Sequence, residues 1–255
     1  MFSSKSLLAC AALFLTLSAP DASGLPGFEV TGDALFNISP PDRLSLSRFG
    51  SIRLVDGRFG AVSFTASGTP SPSLVASAEI GPGTTPAIFG RGSGFLTYFF
   101  EILGPSGAVP VLIDVAGEAA AFASSGASFA VESRWDLLDS GASLAGDDIR
   151  SGQLSGSFNQ NFGRTVSVTL ATNHVYSVFM LADAGAAATL LGSHAIANAF
   201  VDPVFSLGLG VDPRVYSFSF SDGIGNSSAV PEPNTFVVLI AGVLFLSLLH
   251  RRTTA

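Results

Sequence analysis

The sequence has little charge and almost no lysine or cysteine. Its single lysine, Lys5, and its single cysteine, Cys10, both lie in the first ten residues, and charged residues make up 12% of the chain where about 25% is usual. From residue 25 to residue 230, nine arginines stand against seventeen aspartates and glutamates, a net charge of −8. This region cannot form a disulfide, and its acidic, lysine-free composition argues against nucleic acid as a partner.

Catalytic motifs are also missing. The chain has three histidines, His174, His194 and His250, but no His-Glu-x-x-His metal motif and no Gly-x-Ser-x-Gly nucleophile motif. The stretch Gly90–Gly94 is similar to a phosphate-binding loop, yet it lacks the lysine and the helix that must follow. We expect it to be a loop before a strand that starts at Phe95. The sequence predicts a protein that is not an enzyme and needs no cofactor.

Carboxylates leave two alternatives open. The most acidic stretch, residues 135–149, could bind calcium, which takes six to eight oxygen ligands, through Asp136, Asp139, Asp147 and Asp148. Its spacing matches no known calcium loop, so a solvated acidic loop is the favoured interpretation. A secreted hydrolase would need two carboxylates about 5–9.5 Å apart, and the candidates are Asp114, Glu118, Glu132 and Asp136.

The N-terminus has the three parts of a secretory signal peptide. Lys5 precedes a short apolar region, residues 7–17, and small residues follow between Ser18 and Gly24. A basic start, an apolar core and a small-residue cleavage zone are typical of such peptides. We therefore predict a signal peptide over residues 1–24, with cleavage between Ala19 and Leu25.

Between the two ends, the pattern predicts an all-β domain over residues 25–221. Short runs of alternating apolar and polar residues are separated by Gly, Pro, Asp and Ser, which favours an antiparallel β-sandwich or jelly-roll-like domain of roughly ten strands. We expect hairpins at Asp56-Gly57, Gly104–Gly107 and Asn173-His174. Residues 119–131 are predicted as strand, with helix as the alternative, and residues 135–149 as a loop or short helix. Asp202-Pro203 is expected to be a turn at the entry of a strand.

The C-terminus has three parts in a fixed order. A Gly-, Asn- and Ser-rich segment, residues 222–229, is predicted as a flexible tether and leads to Pro231-Glu232-Pro233. An uncharged apolar run, residues 236–249, follows as a predicted transmembrane helix, and Arg251 and Arg252 form a basic stop. The run has 14 residues, so as a helix it covers about 21 Å of a roughly 30 Å membrane core. So short a span suits a transient anchor.

This tail resembles the PEP-CTERM sorting signal of Gram-negative bacteria. Pro231, Glu232 and Pro233 fall on the motif of that family, residues 236–249 on its helix, and Arg251 and Arg252 on its basic tail. The resemblance covers residues 230–255 only. It implies passage through the secretion machinery, a transient single-pass membrane state, processing by a membrane peptidase called exosortase, and a final location at the cell surface or outside the cell, often in strains that make exopolysaccharide.

Together these features predict an exported, non-enzymatic surface or extracellular-matrix protein associated with exopolysaccharide. A carbohydrate-binding or adhesion module is the alternative. It would use exposed aromatic side chains, and the only Trp and Tyr residues of the chain are Trp135, Tyr98, Tyr176 and Tyr216.

Overall fold

The computed structural model describes residues 24–37, 42–82 and 88–226. The predicted signal peptide up to residue 23, and the whole predicted sorting signal, residues 230–255, lie outside the described residues. Within these ranges the chain forms thirteen strands and no helix, which confirms the all-β prediction. The strands are β1 (Glu29–Phe36), β2 (Asp42–Leu46), β3 (Gly50–Asp56), β4 (Gly60–Ser67), β5 (Ser73–Ile80), β6 (Ile88–Leu103), β7 (Ala108–Ala123), β8 (Ala127–Asp139), β9 (Ala142–Gln153), β10 (Gly156–Ala171), β11 (Val175–Ala188), β12 (Ala195–Leu207) and β13 (Ser217–Phe220).

The strands pair into two antiparallel sheets that pack face to face. Sheet A has the order β2-β1-β6-β11-β8-β9, with β13 paired to the end of β6 beyond β1, and sheet B has the order β10-β7-β12-β5-β4-β3. Buried and exposed residues alternate along most strands, as in β6 and β7, so each sheet sends one set of side chains inward. The largest fully buried side chains include Trp135, Tyr98, Phe64 and Phe100.

Two of the predicted hairpins are instead connections between the sheets. Gly104–Gly107 links β6 of sheet A to β7 of sheet B, and Asn173-His174 links β10 of sheet B to β11 of sheet A. The two connections bind each other, since the Gly107 N–H donates to Thr172 Oγ1 at 2.9 Å and Asn173 Nδ2 donates to the Gly104 carbonyl at 2.9 Å. The third prediction is correct, because β3 and β4 pair across the turn that begins at Gly57.

Three further local predictions were wrong. Residues 135–149, predicted as a loop or short helix, complete β8 and form most of β9, and the two strands pair as a hairpin across Ser140-Gly141. Gly90–Gly94, predicted as a loop, lies inside β6, where it pairs with β1 and β11. Asp202-Pro203, predicted as a turn, lies inside β12. Pairing of β12 with β5 ends at Val201. The missing N–H of Pro203 therefore removes no hydrogen bond to β5.

Inward-facing glycines let the two sheets approach closely at one place. A Cβ added to Gly32 or to Gly94 would overlap the ring of Phe64, and one added to Gly92 would overlap the backbone carbonyl of Ser63. Phe64 is fully buried, so its ring occupies the volume that these glycines leave free. The glycines of β6 are therefore packing residues of the core.

Candidate functional site

The residues predicted to direct sorting, Pro231, Glu232, Pro233, Arg251 and Arg252, lie outside the described residues. The structure does show how the chain approaches them. The last described segment, residues 221–226, includes the first five residues of the predicted tether, 222–226. It packs against the domain.

Asn226 binds the backbone of β12 with both ends of its side-chain amide. The Phe205 N–H donates to Asn226 Oδ1 at 2.7 Å, and Asn226 Nδ2 donates to the Phe205 carbonyl at 2.7 Å. Phe205 lies beyond the last residue of β12 that pairs with β5, so the amide bonds a stretch of strand edge that β5 leaves open. One residue earlier, the Gly225 N–H donates to the Gly68 carbonyl at 2.6 Å.

Ser221 joins the two ends of the domain. Its side chain is 1% exposed. Ser221 Oγ donates to the carbonyl of Pro26 at 2.7 Å and accepts from the N–H of Phe99 at 2.9 Å. No local pattern marks Ser221 or Asn226, because a serine and an asparagine in a Gly-rich segment are also typical of a loop.

Three acidic residues of the predicted calcium-binding stretch, Asp136, Asp147 and Asp148, line one shallow hollow, but each carboxylate is paired with an arginine. Asp136 Oδ2 accepts a hydrogen bond from Arg134 Nε at 2.6 Å, and Asp147 Oδ2 is 3.1 Å from Arg164 Nη2. Asp139 Oδ1 is 2.9 Å from His174 Nε2. Asp148 is 3.5 Å from Arg150 Nε. Across the described ranges, no group of three His, Cys, Asp or Glu side chains is placed to hold a metal ion.

The carboxylates considered for a hydrolase lie on opposite sides of the molecule. Asp114 and Glu118 are on the outer face of sheet B, and Glu132 and Asp136 are on the outer face of sheet A. Within each pair the residues are four apart on one strand, about 13 Å at the usual rise, which is wider than either glycosidase geometry.

Glu132 instead lies directly opposite Asp183 of β11. Arg91 holds Asp183 with two bonds, including Nε to Oδ1 at 2.7 Å. Burial, reinforced by the negative charge of Asp183, raises the pKa of Glu132 above its ordinary value. This is a pair of adjacent carboxylates with different environments, on the charged outer face of a sheet.

His174 does meet a carboxylate. Its Nε2 is 2.9 Å from Asp139 Oδ1, and Ser140 Oγ donates to the same oxygen at 3.1 Å. The hydrogen bond to His174 lowers the pKa of Asp139. A nucleophilic serine would have to bond the imidazole, whereas this hydroxyl bonds the carboxylate, so the arrangement is a hydrogen-bonded pair at the surface. His194 contacts the Phe122 ring at 5.9 Å between ring centroids.

Three of the four Trp and Tyr side chains lie inside the sandwich. Trp135 and Tyr98 are fully buried, Tyr176 is 3% exposed, and only Tyr216 reaches partial exposure. Burial raises the pKa of Tyr98 well above its ordinary value. The Tyr176 hydroxyl accepts from the Ala171 N–H at 2.8 Å. These aromatic rings form the core and offer no exposed platform for a sugar.

No protein-family model matches the sequence, and no curated protein matches it. Among solved structures, that of the Gt strain of infectious bursal disease virus aligns with 88% of this chain and 69% of its own chain, at 10% sequence identity and a TM-score of 0.18. A score that low carries no argument about fold or function. In the part of the chain that the structure covers, no helix has the length and apolar character needed to span a membrane.

Proposed function

We propose that this chain is an exported, non-enzymatic surface or extracellular-matrix protein whose C-terminus is a PEP-CTERM sorting signal processed by an exosortase-type peptidase. The observation that carries the proposal is the order of Pro231-Glu232-Pro233, the apolar run 236–249 and the pair Arg251-Arg252. A signal peptide at residues 1–24 agrees with it, since both ends then serve export. The final setting is the cell surface or an exopolysaccharide layer.

The bound position of Asn226 limits how far from the domain a peptidase could act. Four residues, 227–230, separate Asn226 from Pro231. Even fully extended, the five steps between these two residues span about 17 Å. A peptidase that cleaves near Pro231 would therefore act within about 17 Å of Asn226.

The strand order supports the jelly-roll class for the sandwich. Strands β5-β12-β7-β10 form one set of four and β6-β11-β8-β9 the other, so that successive strands alternate between sheets everywhere except at the β8–β9 hairpin. Eight strands arranged in two such sheets define a jelly roll. This class hosts many functions and names none of them.

The test is replacement of Pro231-Glu232-Pro233 by three alanines in the intact chain, expressed in a host that has the peptidase. We expect the variant to accumulate uncleaved in the membrane fraction, while the unaltered protein is recovered in shorter form from the cell surface or medium. Replacement of Asp222 by alanine is the matched control, because it alters an exposed residue of the same segment but leaves the motif and the bonds of Asn226 intact, and this variant should be processed. Normal cleavage and release of the triple-alanine variant would refute the sorting role.

A further inference from the structure

The outer face of sheet B has a shallow hollow that the proposed function does not use. It has a volume of about 240 Å³ and is lined by residues of β3, β4, β5 and β12. Its floor is made of small side chains, Ala61, Ser63 and Ser77, and the two serine hydroxyls are 2.7 Å apart.

The hollow has a structural cause in the opposite sheet. Gly92 of β6 faces inward at this place, and a Cβ there would overlap the Ser63 carbonyl and lie 2.8 Å from the Ser77 carbonyl. Stacked sheets are usually about 10 Å apart. Only glycine permits this approach, so the backbones of the two sheets come close together beneath the small side chains of Ser63 and Ser77. The glycines at 90, 92 and 94 are thus the sequence signal for the hollow.

Two charged side chains stand on either side of the floor. Register places Arg53 of β3 beside Ser63 and Glu79 of β5 beside Ala61, so one strand of small residues separates them. Strands β3 and β5 are therefore about 9–10 Å apart. Both side chains are exposed, and neither forms a salt bridge among the described residues. Asn198 and Ile196 of β12 complete the wall.

This lining matches the chemistry of a sugar. A guanidinium supplies only hydrogen-bond donors, a carboxylate supplies only acceptors, and serine hydroxyls and an asparagine amide supply both. Neighbouring hydroxyl groups of a sugar both donate and accept, so they can bond to all of these groups. Ile196 offers an apolar wall for the C–H face of a ring. The volume is below the roughly 300–1,000 Å³ of pockets that enclose a drug-sized molecule. An open hollow of this size suits one unit of a longer chain that continues across the sheet.

The rest of the face is consistent with a neutral partner. The salt bridges Arg43–Asp33, Arg91–Asp183 and Arg134–Asp136 all lie on the outer face of sheet A. On sheet B the row through the hollow reads Asn159, Ala120, Asn198, Ser77, Ser63 and Arg53 from edge to edge. Hydroxyl, amide and methyl groups predominate along this row, and the carboxylates of Asp114 and Glu118 lie elsewhere on the same face. Carboxylates repel an anionic chain but not a chain without charge.

We infer that this hollow binds a hexose unit of a neutral polysaccharide, with Arg53, Glu79 and Asn198 as its polar contacts. The inference rests on the proposed function for its setting and deepens it by naming a site. It also replaces the expectation that exposed Trp and Tyr side chains bind the glycan.

The test is affinity electrophoresis of the mature protein, purified from the cells that export it, in gels containing dextran, galactomannan or xyloglucan, with alginate as the charged comparison. We expect retardation by at least one neutral polymer. Arg53→Ala and Glu79→Gln should each weaken it at least tenfold, and Ala61→Phe, which fills the hollow, should abolish it. Arg150→Ala and Ala130→Phe on the outer face of sheet A are the matched controls and should leave it unchanged.

Circular dichroism and thermal unfolding of each variant separate a lost site from a lost fold. Retardation by alginate alone, no retardation by any neutral polymer, or equal weakening by the sheet A controls would each overturn the inference. The mass of the mature protein tests sorting separately, because a correctly processed protein that binds no glycan leaves the sorting proposal intact.

Discussion

The ring of Phe64 occupies the space that a side chain at Gly32 would need, so a residue of β4 in sheet B packs directly on the backbone of β1 in sheet A. A Cβ at Gly32 would overlap the ring, and the same ring blocks a Cβ at Gly94. This contact is one of the places where the two sheets approach closely.

We predict that Gly32→Ala destabilises the protein by about 1–3 kcal/mol, because an added methyl group in a filled core forces its neighbours to move. Denaturant unfolding measures the change. Gly163→Ala is the control, since a Cβ at Gly163 meets nothing within 4 Å, and its effect should stay within about 0.5 kcal/mol. In the Phe64→Leu background the added cost of Gly32→Ala should shrink. An equal cost in both backgrounds would show that Phe64 is not the obstacle.

The bonds between Asn226 and Phe205 predict a second effect. Asn226→Ala removes both, each with a net contribution of about 0.5–1.5 kcal/mol, and we expect faster hydrogen exchange at the Phe205 amide and faster proteolysis within residues 221–226. Asn159→Ala, which alters an exposed asparagine of β10, should change neither readout. Unchanged exchange at Phe205 in the Asn226 variant would mean that the segment is held by other contacts.

The pair of His174 and Asp139 predicts a pKa change. The hydrogen bond from His174 lowers the pKa of Asp139 below its ordinary 3.8. Ionised Asp139 therefore contributes stability that is present above 3.8 and is lost as pH falls through the lowered pKa. In His174→Ala the pKa of Asp139 should rise toward 3.8, as measured by NMR titration of its carboxyl carbon. His194→Ala should leave it unchanged, and a pKa that stays low in His174→Ala would contradict the assignment.

The adjacent carboxylates Glu132 and Asp183 predict the opposite shift. Burial, and after it the charge of Asp183, raises the pKa of Glu132 above its ordinary value of 4.5. The protonated form therefore contributes stability that is present below pH 4.5. This stability is lost as pH rises through the raised pKa. Asp183→Asn should lower the pKa of Glu132, because it removes the negative charge that lies opposite Glu132. NMR titration measures the shift. Asp114→Asn, on the other sheet, should have no effect, and an unmoved pKa in Asp183→Asn would show that the charge of Asp183 is not a cause of the shift.

Local sequence signals predicted strands well and strand partners poorly. Turn residues such as Gly104–Gly107 and Asn173 mark where the chain reverses, and Asn173 does adopt a positive φ of 54°. They do not specify whether the next strand joins the same sheet, because both of these connections use the same turn chemistry to cross between the two sheets. That choice depends on long-range packing, which a local pattern does not contain.

Composition misled the prediction for residues 135–149. Four aspartates lower the β propensity of this stretch, yet Asp136 and Asp147 find Arg134 and Arg164 as partners in the folded protein. The glycines of β6 also led to a wrong prediction, because a Gly-rich stretch is typical of a loop. In the structure they face inward and allow close contact with Phe64 and Ser63. Tertiary contacts overrode local preference at both places.

The central claim concerns the two ends of the chain, and the intact mass of the mature protein tests it most directly. Mass spectrometry of protein recovered separately from membranes and medium gives both termini at once. We predict a released species that begins between residues 20 and 25 and ends close to Pro231-Glu232-Pro233, together with a membrane-held species that still has residues 236–252. A released protein that retains residues 236–255, or a protein that keeps its first 19 residues, would contradict the account.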